Sequence, residues 1–485
     1  MYRTCRHAKA SFSSLRFILS LAAGAVACAA LAPDAVASPA VEVASAFKGN
    51  DHFNLHSSIS YKFSSRKSVI KREFVGFPGT DMDAPVPIVR DLVFSGSQHE
   101  IVPRLELGIF HNLWLSASLP IILHSSNTLS FDQSATPCVF PGGGTPTCIN
   151  AENSSTIQDG LLPETGFDAR DPNGPGFTNP NDATIFRGTN RRGTTQLQLG
   201  LGVAPMNQAD DDTKPTWKIG GEVRLPLGKT KKFNRFDPDQ ANGASDGVTS
   251  VRLWTSVAKQ LGWAEPHFEF WWQAPLTVKS SAPLAPLDQG FGVTSESPQQ
   301  EAGTTFGVEA TVWENPEDEL RVGIDLSTTL TSHFEGRGYS DMWEVFAYAG
   351  TATEPDAPLV LDEEPTIAGV QAKSHPGVSN IENFMTLDTQ LRVTADAGER
   401  VRFSAGFGLQ YEQSHLVSFA NAGTDLPTCT GSATANCETN NNDVVDPGSA
   451  EVNPLHAETI DLAGHRYRVA DGQTLLFTVN ARFLF

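Results

Sequence analysis

Beyond position 37 the chain has no apolar run of eighteen residues, so no transmembrane helix is available to it. Sustained helical periodicity is scarce as well. Basic residues are few: 35 Lys and Arg stand against 55 Asp and Glu, for a net charge of −20. Nucleic acid needs the opposite footprint and is not an expected partner. Cysteine is limited to six residues, and neither a C-x-x-C nor an H-E-x-x-H motif occurs. No metal or other cofactor is implied.

What is present begins with a targeting pattern. Arg3, Arg6, Lys9 and Arg16 precede an apolar stretch at 17–31, and Ala35-Val36-Ala37 has the small residues of a cleavage site. That predicts a secretory signal over 1–37, cleaved near Ala37. A lipoprotein signal at Cys28 is the alternative, weakened because Ala25 stands where an aliphatic residue is usual. Cleavage removes four basic groups and one acidic group, so −20 becomes −23. Four cysteines remain, in two local pairs: Cys138 with Cys148, and Cys429 with Cys437. In an exported chain each pair reads as a short-loop disulfide.

The stretch 475–485, LLFTVNARFLF, alternates with period two. One face carries Leu475, Phe477, Val479, Ala481, Phe483 and Phe485, and the other is mostly polar. It suits the closing strand of an outer-membrane barrel, with Phe485 offered to the barrel-assembly machinery. A strand ending a soluble sandwich is the alternative. The clearest hairpin is 101–109 with 113–121, joined by Phe110-His111-Asn112. Pro103 and Pro120 are unfavourable within it. Strands are further expected at 52–63, 195–203, 217–227, 248–259, 265–274, 304–313, 319–331, 384–395 and 401–411. Segments 68–75 and 88–94 are candidates to extend the first hairpin.

These twelve strands are joined alternately by connections of three to eleven residues and of about twenty to seventy. A sandwich gives no reason for that alternation. A transmembrane antiparallel β-barrel does, with short periplasmic turns and long outer loops. Both cysteine pairs then lie in outer loops. Trp114, Trp217, Trp263 and Trp313 fall near the short-turn end, as an interfacial girdle would. The expected organisation is all-β: a signal at 1–37, a segment at 38–51 leaving little for an N-terminal hatch, and an outer-membrane barrel at 52–485.

The hairpin IVPRLELGIFHNLWLSASLPIIL resembles a group of outer-membrane transporters associated with aromatic-degradation (phenol meta-pathway) operons. So do KIGGEVRLPLGKTKK and VTSVRLWTSVAKQLGWAEPHFEFWW. The resemblance lies in strand patterns and implies a barrel with a passive-transport role. It carries over no substrate residue. The long outer loops and their cysteines depart from the group.

Chemical motifs do not hold together. Gly243-Ala244-Ser245-Asp246-Gly247 matches G-x-S-x-G but lacks the strand before it and the helix after it that the nucleophile needs. Gly228-Lys229-Thr230 lacks the phosphate-loop glycine, Val223 standing in its place. His52 and His56 would sit about 13 Å apart on a strand, too far to share an ion. Asp210-Asp211-Asp212 and Asp237-Pro238-Asp239 read as solvated turns rather than calcium loops. No Ser/His/acid set assembles, and the chain is not expected to be an enzyme.

Opposite the aliphatic faces the strands offer acids and bases in near balance. They include Arg104, Glu106, Lys218, Glu222, Arg224, Arg252, Glu309, Arg321, Asp325, Arg392, Arg402 and Arg482. Structural pairing across strands and the lining of a small hydrophilic path are the two readings. Arg252, Arg321, Asp325, Arg392 and Arg402 are the lumen candidates. Lys229, Lys231, Lys232 and Arg235 form a basic cluster at an outer strand end, where lipopolysaccharide phosphates lie, with a solvated loop as the alternative. Outer-membrane lipid and a small solute, a hydrophobic or aromatic one among the options, are thus the expected partners. A surface or adhesion protein acting through its loops is the second class, because 258 of 448 mature residues fall in outer connections.

Overall fold

The computed structural model describes residues 40–46, 54–73, 88–132, 184–231, 242–285 and 297–340 (apart from 316 and 318). It also describes 378–425 (apart from 399) and 458–485, with short pieces at 149–171 and 451–456. The signal, all four loop cysteines, Lys232 and Arg235 lie outside the described residues.

Twelve strands form the wall. They are β1 (Asn54–Glu73), β2 (Ile88–Phe110), β3 (Leu113–Ser118, continuing as Ile121–Phe131), β4 (Arg191–Thr194, continuing as Leu197–Met206), β5 (Thr216–Leu225) and β6 (Val248–Ala258). The others are β7 (Ala264–Val278), β8 (Glu301–Asn315), β9 (Leu320–His333), β10 (Phe384–Ala397), β11 (Val401–Glu412) and β12 (Tyr467–Leu484). Each pairs antiparallel with its sequence neighbour, and β12 pairs back onto β1 from His56↔Leu484 to Arg72↔Tyr467. The sheet therefore has no free edge, and the chain is a closed antiparallel barrel.

Alternation decides which side of each strand meets lipid. Ile59, Leu105, Leu201, Leu253, Phe306, Leu326, Leu391, Phe407 and Leu475 are all exposed on the outside. An apolar belt of this extent around a closed wall is the surface of a transmembrane barrel. No helix among the described residues is long and apolar enough to cross a membrane.

Several expected boundaries were too short. Residues 65–96 continue the wall through the candidate segments 68–75 and 88–94: β1 runs on to Glu73 and β2 starts at Ile88. Likewise β3 reaches Phe131, β4 begins at Arg191, and β12 begins at Tyr467 rather than at 475. The added segments mix polar runs, held by backbone pairing such as Ser64↔Gln98 and Ser65↔Ser97, with buried apolar side chains such as Ile70, Leu92, Leu129 and Val469. Pro103 stays within β2, whereas β3 breaks at Leu119-Pro120, where the Pro120 carbonyl accepts the Thr195 amide at 3.1 Å. Asn112 turns the β2–β3 hairpin at φ 56°, a left-handed conformation that Asn tolerates. Its side chain donates to Asp210 at 2.7 Å and accepts from Asn207 at 2.8 Å, tying adjacent short turns together.

Candidate functional site in the barrel lumen

The inward positions build the site. On β2 and β12 the outward set is odd-numbered, so Arg104, Glu106 and Arg482 face the lumen. On β6 and β7 the same alternation turns Arg252, Trp254, His267 and Glu269 inward.

The first feature inside is the chain's own N-terminal segment. Val41, Ala44 and Ala46 are buried, and Ala44 packs with Trp114 and Ala204, flanked by Val43 and Trp254. The Ala46 amide donates to the Phe110 carbonyl at 3.3 Å, and Ser45 Oγ accepts the Asn112 amide at 2.9 Å. Gly108 is needed here, because a Cβ would lie 2.9 Å from the Ala46 nitrogen. Residues 40–46 thus lie against the inner wall at the short-turn end. The expectation for Trp114 is corrected: it is buried under this segment and does not join an outer girdle. Trp263 and Trp313 are exposed on the outside, near the short turns.

Glu42 fixes the segment electrostatically. Arg402 and Arg482 sit directly opposite each other on β11 and β12, a repulsive pairing. Glu42 accepts from both at 3.3 Å, and its carbonyl accepts from Lys218 Nζ at 2.9 Å. One carboxylate of the segment thereby bridges two wall cations, each of which has a second carboxylate partner on the wall.

Around it lies a lattice of buried ions. Arg321, only 2% exposed, donates to Glu309 at 2.8 Å and Thr311 at 3.0 Å and lies 3.8 Å from Asp396. Arg402 grips Asp396 through two nitrogens, one of them at 3.1 Å. Asp325 lies 3.8 Å from Arg392 and 3.6 Å from His267. Arg482 also donates to Glu106 at 3.1 Å. Of the five lumen candidates, Arg321, Asp325 and Arg402 are packed into this lattice. Arg252 and Arg392 instead line a cavity of about 410 Å³ beside the N-terminal segment.

The opposite side of the lumen is paved. Trp114 lies over Gly202, Trp254 over Gly220 and Trp271 over Gly303, each glycine on an adjacent strand, and a Cβ at any of them would overlap the ring. Trp114 and Trp254 meet at 6.3 Å between centroids, and the Arg252 guanidinium sits 4.3 Å from the Trp271 centroid. Sequence reasoning did not find this wall. The recurring inward Trp beside an inward Gly on the neighbouring strand was its signal. A second cavity, of about 430 Å³, opens at the long-loop end, lined in part by Lys231, Gln273, Glu301 and Arg337.

The remaining motifs resolve locally. Lys231 pairs with Asp246 at 2.7 Å, and Lys229 donates to Asn242 at 3.1 Å. Ser245 of the G-x-S-x-G match bridges to Thr230 and precedes β6 directly. His56 is buried against Arg482 and Glu106. Asp211 forms a turn with Thr213 and Lys214, and its carboxyl, hydrogen-bonded by both, is held down at about 2. No group of three His, Cys, Asp or Glu able to hold a metal occurs among the described residues.

No protein-family profile matches the chain, and the comparison with curated proteins gave no match. Solved structures that it resembles include an outer membrane channel from Pseudomonas putida F1, at 10% identity and a TM-score of 0.34, covering 94% of this chain and 99% of that one. A FadL homologue from Pseudomonas aeruginosa matches at 8% and 0.30, again over 94% and 99%. The outer membrane protease OmpT from Escherichia coli matches at 8% and 0.24, over 89% and 98%. The barrel rests on the strand register above, not on these likenesses. Because a protease stands among them, the expectation that this chain is not an enzyme is corrected: the barrel fold alone does not exclude one.

Proposed function

We propose that this barrel sits in the outer membrane of a Gram-negative bacterium and lets a small solute pass passively through its lumen. The observation that carries the reading is the pair of hydrophilic cavities, of about 410 and 430 Å³, inside a closed wall with an apolar outer belt. Segment 40–46 narrows the short-turn mouth. A hydrophobic or aromatic solute suits the tryptophan-paved side. Lys229, with Lys232 and Arg235, is assigned to lipopolysaccharide phosphates, and Phe485 to recognition by the assembly machinery. The surface-protein reading loses weight, because the wall takes in residues first counted as outer loop.

The test is solute-dependent swelling of liposomes carrying the refolded mature protein and a variant lacking residues 38–46. Uptake of small solutes by the first, and faster uptake by the second, is the expected result. A folded barrel that admits nothing with or without the segment would overturn the proposal.

A further inference from the structure

The cavity beside the N-terminal segment has a charge opposite to that of the whole chain. Six cations line it: Arg104, Lys218, Arg224, Arg252, Arg392 and Arg482. Four carboxylates do so, those of Glu42, Glu106, Glu222 and Glu269. The chain as a whole carries −20, so this local excess of two positive charges is a property of the site.

The carboxylates are already engaged. Glu222 takes Arg224 at 2.7 Å, Glu269 takes Arg252 at 3.2 Å, and Glu106 is shared by Arg104 at 2.9 Å and Arg482 at 3.1 Å. Glu42 divides between Arg402 and Arg482. Arg392 reaches Asp325 only at 3.8 Å, longer than a hydrogen bond, and keeps 38% of its side chain exposed to the cavity. A low-dielectric enclosure concentrates the field of such an excess.

The wall adds a shape. Trp254 lines the cavity and lies flat over Gly220. Trp271, its register partner on β7, stacks under Arg252 and sets the plane of that guanidinium. A flat apolar body can lie on Trp254 while an attached carboxylate meets planar, fork-shaped donors.

We propose that this cavity binds a small planar organic anion, an aromatic carboxylate in chemical class, with its ring on Trp254 and its carboxylate at Arg252 and Arg392. Only the anion's route to the site rests on the passage reading.

The test uses the full mature barrel in detergent micelles, with folding checked by heat-modifiable gel migration. It is titrated with benzoate, benzyl alcohol and benzylamine while tryptophan emission is followed. Saturable binding of benzoate, at least tenfold tighter than benzyl alcohol, with benzylamine weaker still, is expected. The double variant Arg252→Gln with Arg392→Gln should lose that preference by about tenfold, and Trp254→Phe should weaken all three probes while keeping their order. Equal binding of the three probes by the wild type, tighter binding of benzylamine, or no saturable benzoate binding overturns the site, whatever the variants do. Benzoate binding without any liposome uptake supports the site and ends the passage reading. Uptake indifferent to charge, with the three probes bound alike, does the reverse.

Discussion

From β3 to β8 the inner wall carries tryptophans laid over glycines beside ion pairs such as Glu222–Arg224 and Glu269–Arg252; from β9 through β12 to β2 it carries arginines locked to carboxylates, with no tryptophan among the described residues. Both halves present the same apolar face to lipid, so the difference is confined to the inside. A large ring can lie flat against a sheet only where the neighbouring strand offers no Cβ, and Gly202, Gly220 and Gly303 meet that condition. A buried guanidinium is tolerated only where carboxylates surround it, and Glu309 and Asp396 meet that condition for Arg321. The first arrangement flattens the wall and leaves volume beside it. The second fills volume with side chains. On the reading proposed above, passage and binding belong mainly to the paved half, and rigidity to the ionic half.

The largest expected effect breaks this comparison if it fails. Arg321→Ala leaves Glu309 and Asp396 without their shared cation, and the loss expected is about 4 kcal/mol. Arg252→Ala, in the paved half, removes a partly exposed pair and should cost about 1 kcal/mol or less. Urea midpoints of the two variants refolded into vesicles give the comparison directly. Similar losses would mean that the halves are not energetically distinct.

Next in size is Glu42→Gln, which returns Arg402 and Arg482 to direct opposition. About 3 kcal/mol of the segment's attachment should go. Liposome uptake should rise several-fold, with little movement of the urea midpoint. An unchanged uptake rate would show that the apolar contacts of Ala44 with Trp114 hold the segment alone.

Gly220→Ala tests the paving. The new methyl forces the Trp254 ring to tilt, at a cost of about 2 kcal/mol and with a shift in tryptophan emission. In the ionic half, Gly406→Ala comes close only to the small Thr478 hydroxyl, with Leu391 and Arg392 at ordinary contact distance, and should cost under about 1 kcal/mol. A smaller loss at Gly220 than at Gly406 would reverse the assignment of the rigid half.

How much of this was readable in the sequence follows from range of interaction. Alternation is local, so the twelve strands and their lipid faces were legible from runs such as Leu475 to Phe485. So was the inward direction of Trp114, which falls on the polar parity between Leu113 and Leu115, although proximity to a short turn suggested a girdle instead. The upper wall was legible only in part: 68–75 and 88–94 offered themselves as extensions of the first hairpin, whereas polar runs such as Ser64-Ser65 show no apolar face. The ion lattice was not legible: its members could be named, but Arg321 meets Asp396 only through a register set by strands far apart in sequence. Segment 40–46 carries one charge and a few small side chains, and its partners lie from 60 to more than 400 residues away.

The smallest effect sharpens the comparison by testing where it should vanish. Leu253, on the paved half, and Leu391, on the ionic half, are 50% and 51% exposed on the outer face. Truncation to Ala removes the same apolar surface from the same lipid belt, so each variant should lose about 1 kcal/mol. Neither side chain touches the lumen, and the contrast between rings and ions should not reach it. Equal urea midpoints for Leu253→Ala and Leu391→Ala would confine the difference to the inner face. A markedly larger loss at Leu391 would mean that the ion lattice stiffens the strand enough to change how its lipid face responds, and the two faces of the wall could no longer be treated as independent.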